Sequence, residues 1–261
     1  PSNLDKYLGC NHVEGSSNVG GNPKRTMRYD MSGFMQECVK VYQDCVATTS
    51  ADARLRSLRP AATPFLEIDE DPDTDKEGVL APHAAKVLMK ILYAARMARY
   101  DLLRAVGALA YLITKWTKTC DAKLHRLVCY INSTHDLQLK GYIGDPPEKL
   151  ELKLFADADF AGCKATRRST SGVYLCLSGE NTHYPLAAIS KKQTCVSHST
   201  PEAELVAMDA ALRTEGLPAL DLWETILGRT VKLNFEEDNQ AALQIVQSGK
   251  NPNIRHMGRT H

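Results

Sequence analysis

The sequence predicts an α/β fold, with a mixed sheet and flanking helices preceded by a mainly helical subdomain. From position 150 onward the residue pattern changes to short strands, in the order three strands, helix, strand, helix. Between Ala84 and Ser133, apolar residues recur at steps of three and four, which is typical of amphipathic helices. The predicted strands are Leu150–Ala156, Gly172–Leu177, Tyr184–Ser190 and Val231–Glu236.

The N-terminal segment contains one well-defined element. Apolar residues at helical spacing predict an amphipathic helix from Ser32, with Cys38 and Cys45 on its core face. Before it we predict a short strand at Tyr7 and Leu8, followed by a loose loop rich in glycine and asparagine.

Residues 48–82 have the composition of a connector. Prolines and the acidic run EIDEDPDTD leave too little apolar area to order such a segment. A calcium loop is less favoured because its central glycine and terminal glutamate are not in register. We therefore divide the chain into residues 1–47, the connector 48–82, a helical subdomain 83–147 and a domain 148–261.

The helical subdomain should contain three packed helices, with breaks near Arg99 and Thr119. Its basic residues, with Trp116 and Tyr130, could contact nucleic acid, but solvated charges and core aromatics explain the pattern equally well.

The C-terminal domain should begin with an antiparallel meander of three strands. A long helix follows from about Thr200, which can cap it, with Pro201 in the first turn. The last helix, Gln240–Ser248, should end at Gly249.

Composition excludes several classes of protein. Lys and Arg (32) balance Asp and Glu (31) in the 261 residues, so any nucleic-acid surface must be a local patch. Eight cysteines without metal-type spacing favour reduced thiols in an intracellular, reducing compartment over a secreted disulfide scaffold. No apolar run is long enough to cross a bilayer, so we expect no membrane insertion. The first residues lack an initiator Met and a basic leader, so we expect the chain to be an excised or processed piece of a longer protein.

Two aspartates in KLFADADFAG are the most informative feature of the chain. Asp157 and Asp159 share one face of a predicted strand, where their charges repel unless they are compensated. In an α/β unit, a glutamate from the long helix and Asp238 after the fourth strand would lie near them. Oxygen ligands from separate elements suit Mg²⁺ or Mn²⁺, and two such ions can promote phosphodiester hydrolysis.

Helix geometry selects Glu204 over Glu202. Two residues along a helix differ by a rotation of about 200°, so only one of the two can face the cluster. Glu204 shares its face with Ala207 and Ala211, whereas Glu202 lies on a polar stripe. We therefore place Glu204 in the site and Glu202 at the helix N-terminus as a capping or dipole partner.

Four blocks of sequence resemble one family. They are KLFADADFAG, RRSTSGVYLCLSG, AISKKQTCVSHSTPEAELVAM and EEDNQAALQIVQSGKNPNIRHMGRTH. In this order and spacing they resemble the RNase H domain of copia-type LTR retrotransposon polyproteins. Upstream, SGFMQECVKVYQDCVA resembles a thumb-like helix, and the predicted helical subdomain resembles the connection of the same reverse transcriptase.

This resemblance implies an RNase H-like, mixed five-stranded sheet over residues 148–261. It implies Asp157, Glu204 and Asp238 as catalytic and metal-binding carboxylates, with Asp159 as a neighbour of the site. The implied activity is endonucleolytic hydrolysis of the RNA strand of RNA/DNA hybrids with two Mg²⁺ or Mn²⁺ ions. The remainder of the reverse transcriptase polyprotein would be a partner.

A basic segment, Lys164–Arg168, and a lysine pair are expected near the phosphates of the hybrid. Asn239 and Gln240 could orient the substrate, but they are equally ordinary helix caps. His198 and His256 are weaker candidates for proton transfer, since an isolated histidine is more often structural. The candidate nucleic-acid-binding residues are Arg167, Arg168, Ser169, Lys191, Lys192, Asn239 and Gln240.

Two departures from the family weaken the enzymatic interpretation. The chain has no Asp-Asp dipeptide, so the polymerase site is absent. The family's fourth carboxylate lies just beyond a motif resembling Arg255–His261, where this chain stops, and without it two-metal catalysis could fail. The alternative is a catalytically inactive RNase H-like module that binds nucleic acid or serves as a structural subunit of a larger assembly.

Overall fold

A computed structural model describes residues 5–19, 21–49, 52–65, 76–163 and 166–249 as a mixed α/β protein. The chain divides into two units. Unit 1 comprises Pro1–Gly15 and Met27–Lys140, and unit 2 comprises Ser16–Thr26 and Gly141–His261.

The N-terminal strands are more extensive than the sequence predicts. β1 (Lys6–Tyr7) pairs antiparallel with β2 (Cys10–Val19), and β3 (Asn22–Asp30) is the next strand. The short first strand agrees with the prediction, but the prediction of a loose loop after it is wrong, because β2 and β3 occupy this segment. Glycine and asparagine favour turns locally, whereas pairing between strands orders this segment.

Five helices of unit 1 lie within its described residues. α1 (Ser32–Thr49) begins at the predicted residue and buries Cys38 and Cys45. The predicted helical subdomain forms three helices, and its breaks fall after Met97 and between Ala110 and Lys118. The other four helices of unit 1 are α2 (Ala53–Arg56), α3 (Ala81–Met97), α4 (Leu103–Ala110) and α5 (Lys118–Ser133).

Part of the predicted connector is packed. α2 begins after Asp52, whose side chain accepts a hydrogen bond from the Arg54 N–H at 2.9 Å. Leu55 and Leu80 are buried in the core, so the prediction of a solvated connector is wrong there. The whole acidic run lies in 66–75, outside the described residues.

The sheet of unit 2 is mixed. Its strands follow the order β4–β7–β6–β5–β8, with β5–β6 and β6–β7 antiparallel and β5–β8 parallel. The predicted meander is confirmed, and β4 is an additional strand that pairs with β7. The five strands are β4 (Leu139–Ile143), β5 (Glu151–Asp159), β6 (Thr170–Gly179), β7 (Thr182–Lys192) and β8 (Leu233–Glu236).

One helical segment packs closely on β5. α6 (Thr200–Ala211) continues through a wider turn, Leu212–Gly216, into α7 (Leu217–Leu227). Ala203, Ala207 and Ala211 on α6 are fully buried in the core that also contains alternate residues of β5. Small side chains at i, i+4 and i+8 let the helix approach the strand, which fixes the height of α6 above the sheet.

The last helix of unit 2 agrees with the prediction at both ends. α8 (Gln240–Ser248) is followed by Gly249 at φ +64°, a conformation that glycine adopts without steric cost.

Two further observations concern the cysteines and the length and apolar character of the helices. All eight cysteines are free. Within the described residues, no helix combines the length and apolar character needed to span a bilayer.

Candidate active site

β5 presents Asp157 at the carboxyl end of a central strand. Along β5 every second side chain is buried, from Leu152 to Ala158, so Asp157 and Asp159 lie on the opposite, more exposed face. This confirms that the two aspartates share a face. β5 lies between β6 and β8, which places Asp157 beside residues from both neighbours.

The parallel pairing of β8 with β5 places Asp238 beside Asp157. The last aligned pair is Phe155 with Glu236, and Asp238 follows two residues later. Asp238 lies just beyond the paired residues of β8, at the end of the strands where Asp157 lies, and both side chains are exposed. Two carboxylates from parallel strands therefore end at one edge of the sheet.

Glu204 reaches the same region from α6. The residue is only 4% exposed, and the backbone N–H of Ala158 donates to its carboxylate. Burial, with the nearby charges of Glu237, Asp157 and Asp238, raises the pKa of Glu204 to about 7. The charges of the predicted carboxylates Asp157 and Asp238 therefore reach the predicted carboxylate Glu204.

Glu237 is a fourth carboxylate that the sequence analysis did not select. Burial raises the pKa of Glu237, and the charges of Asp238 and Asp157 add to this effect. The N–H of Asn239 donates to its Oε1 at 3.0 Å. The sequence feature that could have identified Glu237 is the acidic run Glu236–Asp238 at the end of a predicted strand. Successive side chains of a strand point to opposite faces of the sheet. Asp157, Glu204, Glu237 and Asp238 are called the carboxylate cluster below.

The carboxylate cluster has the chemistry of a divalent-cation site, because its donors are all oxygens. Among the described residues, Glu204 Oε2 and Glu237 Oε2 are buried without a hydrogen-bond partner, and a cation would satisfy both. As the side chains stand, no three His, Cys, Asp or Glu groups in the described ranges are placed to hold one ion. Three of these groups could therefore hold one ion only after side-chain movement.

Asp159 has a structural role at the end of β5. Its carboxylate accepts a hydrogen bond from the N–H of Thr170, the residue opposite it on β6. A side chain at Gly162 would collide with the same carboxylate. Asp159 therefore fixes the strand end next to Asp157.

The start of α6 is capped by Ser199, not by the predicted Thr200. Ser199 Oγ accepts a hydrogen bond from the Glu202 N–H at 3.4 Å, and Glu202 Oε2 accepts one from the His198 N–H at 2.9 Å. Thr200 is the first helical residue, and its preceding neighbour has the extended backbone that a cap requires. The capping role expected for Glu202 is confirmed, and His198 is exposed.

The basic candidates lie near the same end of the sheet. Arg167 and Lys191 are exposed, whereas Arg168 and Lys192 are half-buried. Lys192 lies opposite Thr170, which in turn lies opposite Asp159. Lys164 and His256 lie outside the described residues.

Ser169 is a correction to the predicted binding residues. It is fully buried, its Oγ accepts the Ala161 N–H at 3.0 Å, and its carbonyl accepts the Gln193 N–H at 2.8 Å. A side chain so enclosed holds the loop together and offers no surface to a ligand.

Comparison with known proteins gives a family relationship. No family profile matches the sequence. The chain is 32% identical over 142 residues to the secreted RxLR effector protein 161 of Plasmopara viticola, a match that covers 54% of the chain and 91% of that protein. The chain belongs to the same family as this protein.

A second relative covers more of the chain at lower identity. It is an uncharacterized mitochondrial protein of Arabidopsis thaliana, 28% identical over 160 residues. The match covers 60% of the chain but only 62%, less than two thirds, of the relative.

Asn239 caps α8. Its Oδ1 accepts the Ala242 N–H at 3.0 Å, so the capping interpretation of Asn239 is confirmed. Gln240, the first residue of α8, is exposed beside Asp238.

Proposed function

We propose that this chain comes from a copia-type retrotransposon reverse transcriptase and hydrolyses the RNA strand of RNA/DNA hybrids. One observation carries the proposal: the buried carboxylate of Glu204, from a helix, lies in the field of Asp157, Glu237 and Asp238 at one sheet edge. The four sequence blocks described above support it. The names of the two relatives state no enzymatic activity.

Each carboxylate would have a defined task. Asp157, Glu204 and Asp238 would hold Mg²⁺ or Mn²⁺, with Glu237 adding negative charge beside Glu204. When bound, two such ions supply an activated water and stabilise the leaving oxygen. Because Glu204 is backed by the core and hydrogen-bonded by Ala158, it would be the fixed ligand. The exposed aspartates would close on the ions from the strand ends.

The basic residues would bind the nucleic-acid backbone. Ala158 lies opposite Ser171, and Ser171 lies opposite Lys191, so Lys191 is two strands away from the residue next to Asp157. At the usual strand spacing this is about 10 Å, which suits contact with a phosphate close to the cleaved bond. A 2′-hydroxyl would then distinguish the RNA strand from the DNA strand.

Cleavage of a labelled RNA/DNA hybrid with Mg²⁺ tests the proposal. We expect the unmodified chain to cut the RNA strand, and Asp157→Asn and Asp238→Asn to reduce the rate at least 100-fold. Asp221→Asn, the same change at an exposed position on α7, should cut normally. Equal rates for all four proteins, or no cutting by any of them, would refute the hydrolytic function.

A second function is a non-catalytic module that binds nucleic acid or supports a larger assembly. The observation that favours it is the placement of the cluster, in which no three described side chains are positioned for one ion. In that case the hybrid would bind with equal affinity in the presence and absence of Mg²⁺, and no product would form.

A further inference from the structure

Unit 1 contains a basic cavity that is independent of the carboxylate cluster. The cavity has a volume of about 540 Å³ and lies between the segment from α2 to Ala61 and one face of α5. Small-molecule sites in proteins usually have volumes of roughly 300–1,000 Å³. The cavity is therefore large enough for a ligand of nucleotide size.

The charge of the cavity comes from three arginines. Arg54 and Arg59 are exposed at its edge, Arg126 is half-buried in α5, and no carboxylate belongs to the described lining. The charge of Asp52 reaches His125. Among the described residues of this region, three guanidinium groups outnumber this one carboxylate, and their excess positive charge attracts an anion.

One of these arginines has an unused donor. Arg126 donates from Nη2 to Thr63 Oγ1 at 3.0 Å, but its Nε is buried and has no hydrogen-bond partner among the described residues. A buried N–H that has lost its water is unfavourable unless an acceptor reaches it. A ligand oxygen that reached this N–H would supply the acceptor.

The back wall of the cavity is held in place by neutral contacts. His125 Nδ1 lies 2.8 Å from the Tyr42 hydroxyl, and His125 Nε2 lies 3.4 Å from Cys129 Sγ. Burial lowers the pKa of His125, although a hydrogen bond to Ser57 and the charge of Asp52 oppose this effect. Burial therefore favours the neutral form of His125, which shapes the site, while the arginines provide its charge.

We propose that this cavity binds a small organic polyphosphate of nucleotide size. Arginine forks match phosphate oxygens in a bidentate geometry, and three forks around one cavity suit more than one phosphate group. Proline and alanine side chains on the same wall would contact the organic part of the ligand. An open cavity of this limited volume favours a small molecule over a nucleic-acid duplex, which needs an extended surface.

The test is isothermal titration of the full chain with ADP and with inorganic tripolyphosphate, in EDTA and at near-physiological salt. We expect saturable binding of one ADP per chain. The double variant R54Q/R59Q should weaken it at least 30-fold, and it should fold because both side chains are exposed. Arg96→Gln, the same charge change at an exposed site on α3 outside the cavity, should bind like the unmodified chain.

Any one of three outcomes would overturn the proposal. These outcomes are no binding of ADP, equal weakening by R54Q/R59Q and Arg96→Gln, or binding of tripolyphosphate alone. Preference for a single-stranded oligonucleotide over ADP, with the same arginine dependence, would assign the cavity to nucleic acid instead. The cleavage assay does not enter this test, so the two proposals can fail separately.

Discussion

The charge of half-buried Glu237 acts on the buried carboxylate of Glu204, and each glutamate has one carboxylate oxygen without a hydrogen-bond partner in the described residues. Glu204 comes from a helix and Glu237 from the end of a strand, so the fold forces two acidic groups into one poorly hydrated place. Such a pair is unfavourable unless a proton or a cation neutralises it. This conflict between stability and placement is typical of a functional site.

Replacing Glu204 by glutamine should stabilise the protein at alkaline pH. The pKa of Glu204 is about 7 in the folded chain, against a reference value of 4.5. Between these values the folded chain holds a proton that the unfolded chain has lost, so stability falls as pH rises through this window. Glu204→Gln removes that loss, and we expect a gain of about 1–3 kcal/mol at pH 8 in EDTA.

Urea unfolding at pH 5, 6, 7 and 8 measures this effect. The exposed Glu180→Gln is the matched control and should keep the pH dependence of the unmodified protein. If Glu204→Gln shows the same pH dependence as the unmodified protein, Glu204 is not the group whose titration lowers the stability in this pH range.

Divalent cations should stabilise the unmodified protein at pH 8. Mg²⁺ or Mn²⁺ that binds only the folded chain raises its stability by mass action, and millimolar amounts should raise the melting temperature by a few degrees. At pH 6 the cation must displace the proton of Glu204, so the increase should be smaller. Differential scanning fluorimetry compares both pH values with NaCl at matched ionic strength. An equal increase with NaCl would mean simple charge screening.

Local signals predicted the helices of unit 2 well. Gly249 after an apolar periodic segment predicted the end of α8, because glycine adopts the left-handed conformation found there. β4 was not predicted, since its central Gly141 weakens any strand pattern. In the structure a side chain at Gly141 would lie 2.6 Å from the Tyr184 ring, so β4 depends on a partner distant in sequence.

The candidate site, like the fold, could be predicted only in part. Asp157, Glu204 and Asp238 could be selected because each follows from a periodicity or a family block. Glu237 could not, because its neighbours in the sequence are acidic as well and only the packing of α6 distinguishes it. Ser169 failed for the opposite reason, since its polar side chain is used entirely inside a loop.

Asp121 should be among the most sensitive polar positions of unit 1. Its buried carboxylate accepts hydrogen bonds from the N–H groups of Val79 at 2.7 Å and Leu80 at 3.2 Å, and from Trp116 Nε1 at 2.7 Å. These bonds hold the start of α3 and show that Trp116 is a core residue. Asp121→Asn presents an amide to three donors, and we expect it to lower the free energy of unfolding by about 2–4 kcal/mol.

Chemical denaturation followed by tryptophan fluorescence measures this loss. Asp136→Asn, the same change at an exposed position, should alter stability by less than about 0.5 kcal/mol. Equal stability of the two variants would show that water replaces the three bonds without cost.

The cap of α6 gives a prediction that separates two neighbouring residues. The sequence alone favours Thr200 as the cap, but in the structure Ser199 accepts the Glu202 N–H and Thr200 is already helical. Ser199→Ala should therefore cost about 1 kcal/mol, whereas Thr200→Ala should cost clearly less. Urea unfolding of both variants decides between them, and a larger loss of stability for Thr200→Ala would show that Thr200 is the cap.

Glu204 lies two residues after Glu202, so loss of the Ser199 cap should also loosen the only carboxylate that α6 contributes to the carboxylate cluster. In Ser199→Ala the cation-dependent rise in melting temperature should then shrink, while in Thr200→Ala it should remain.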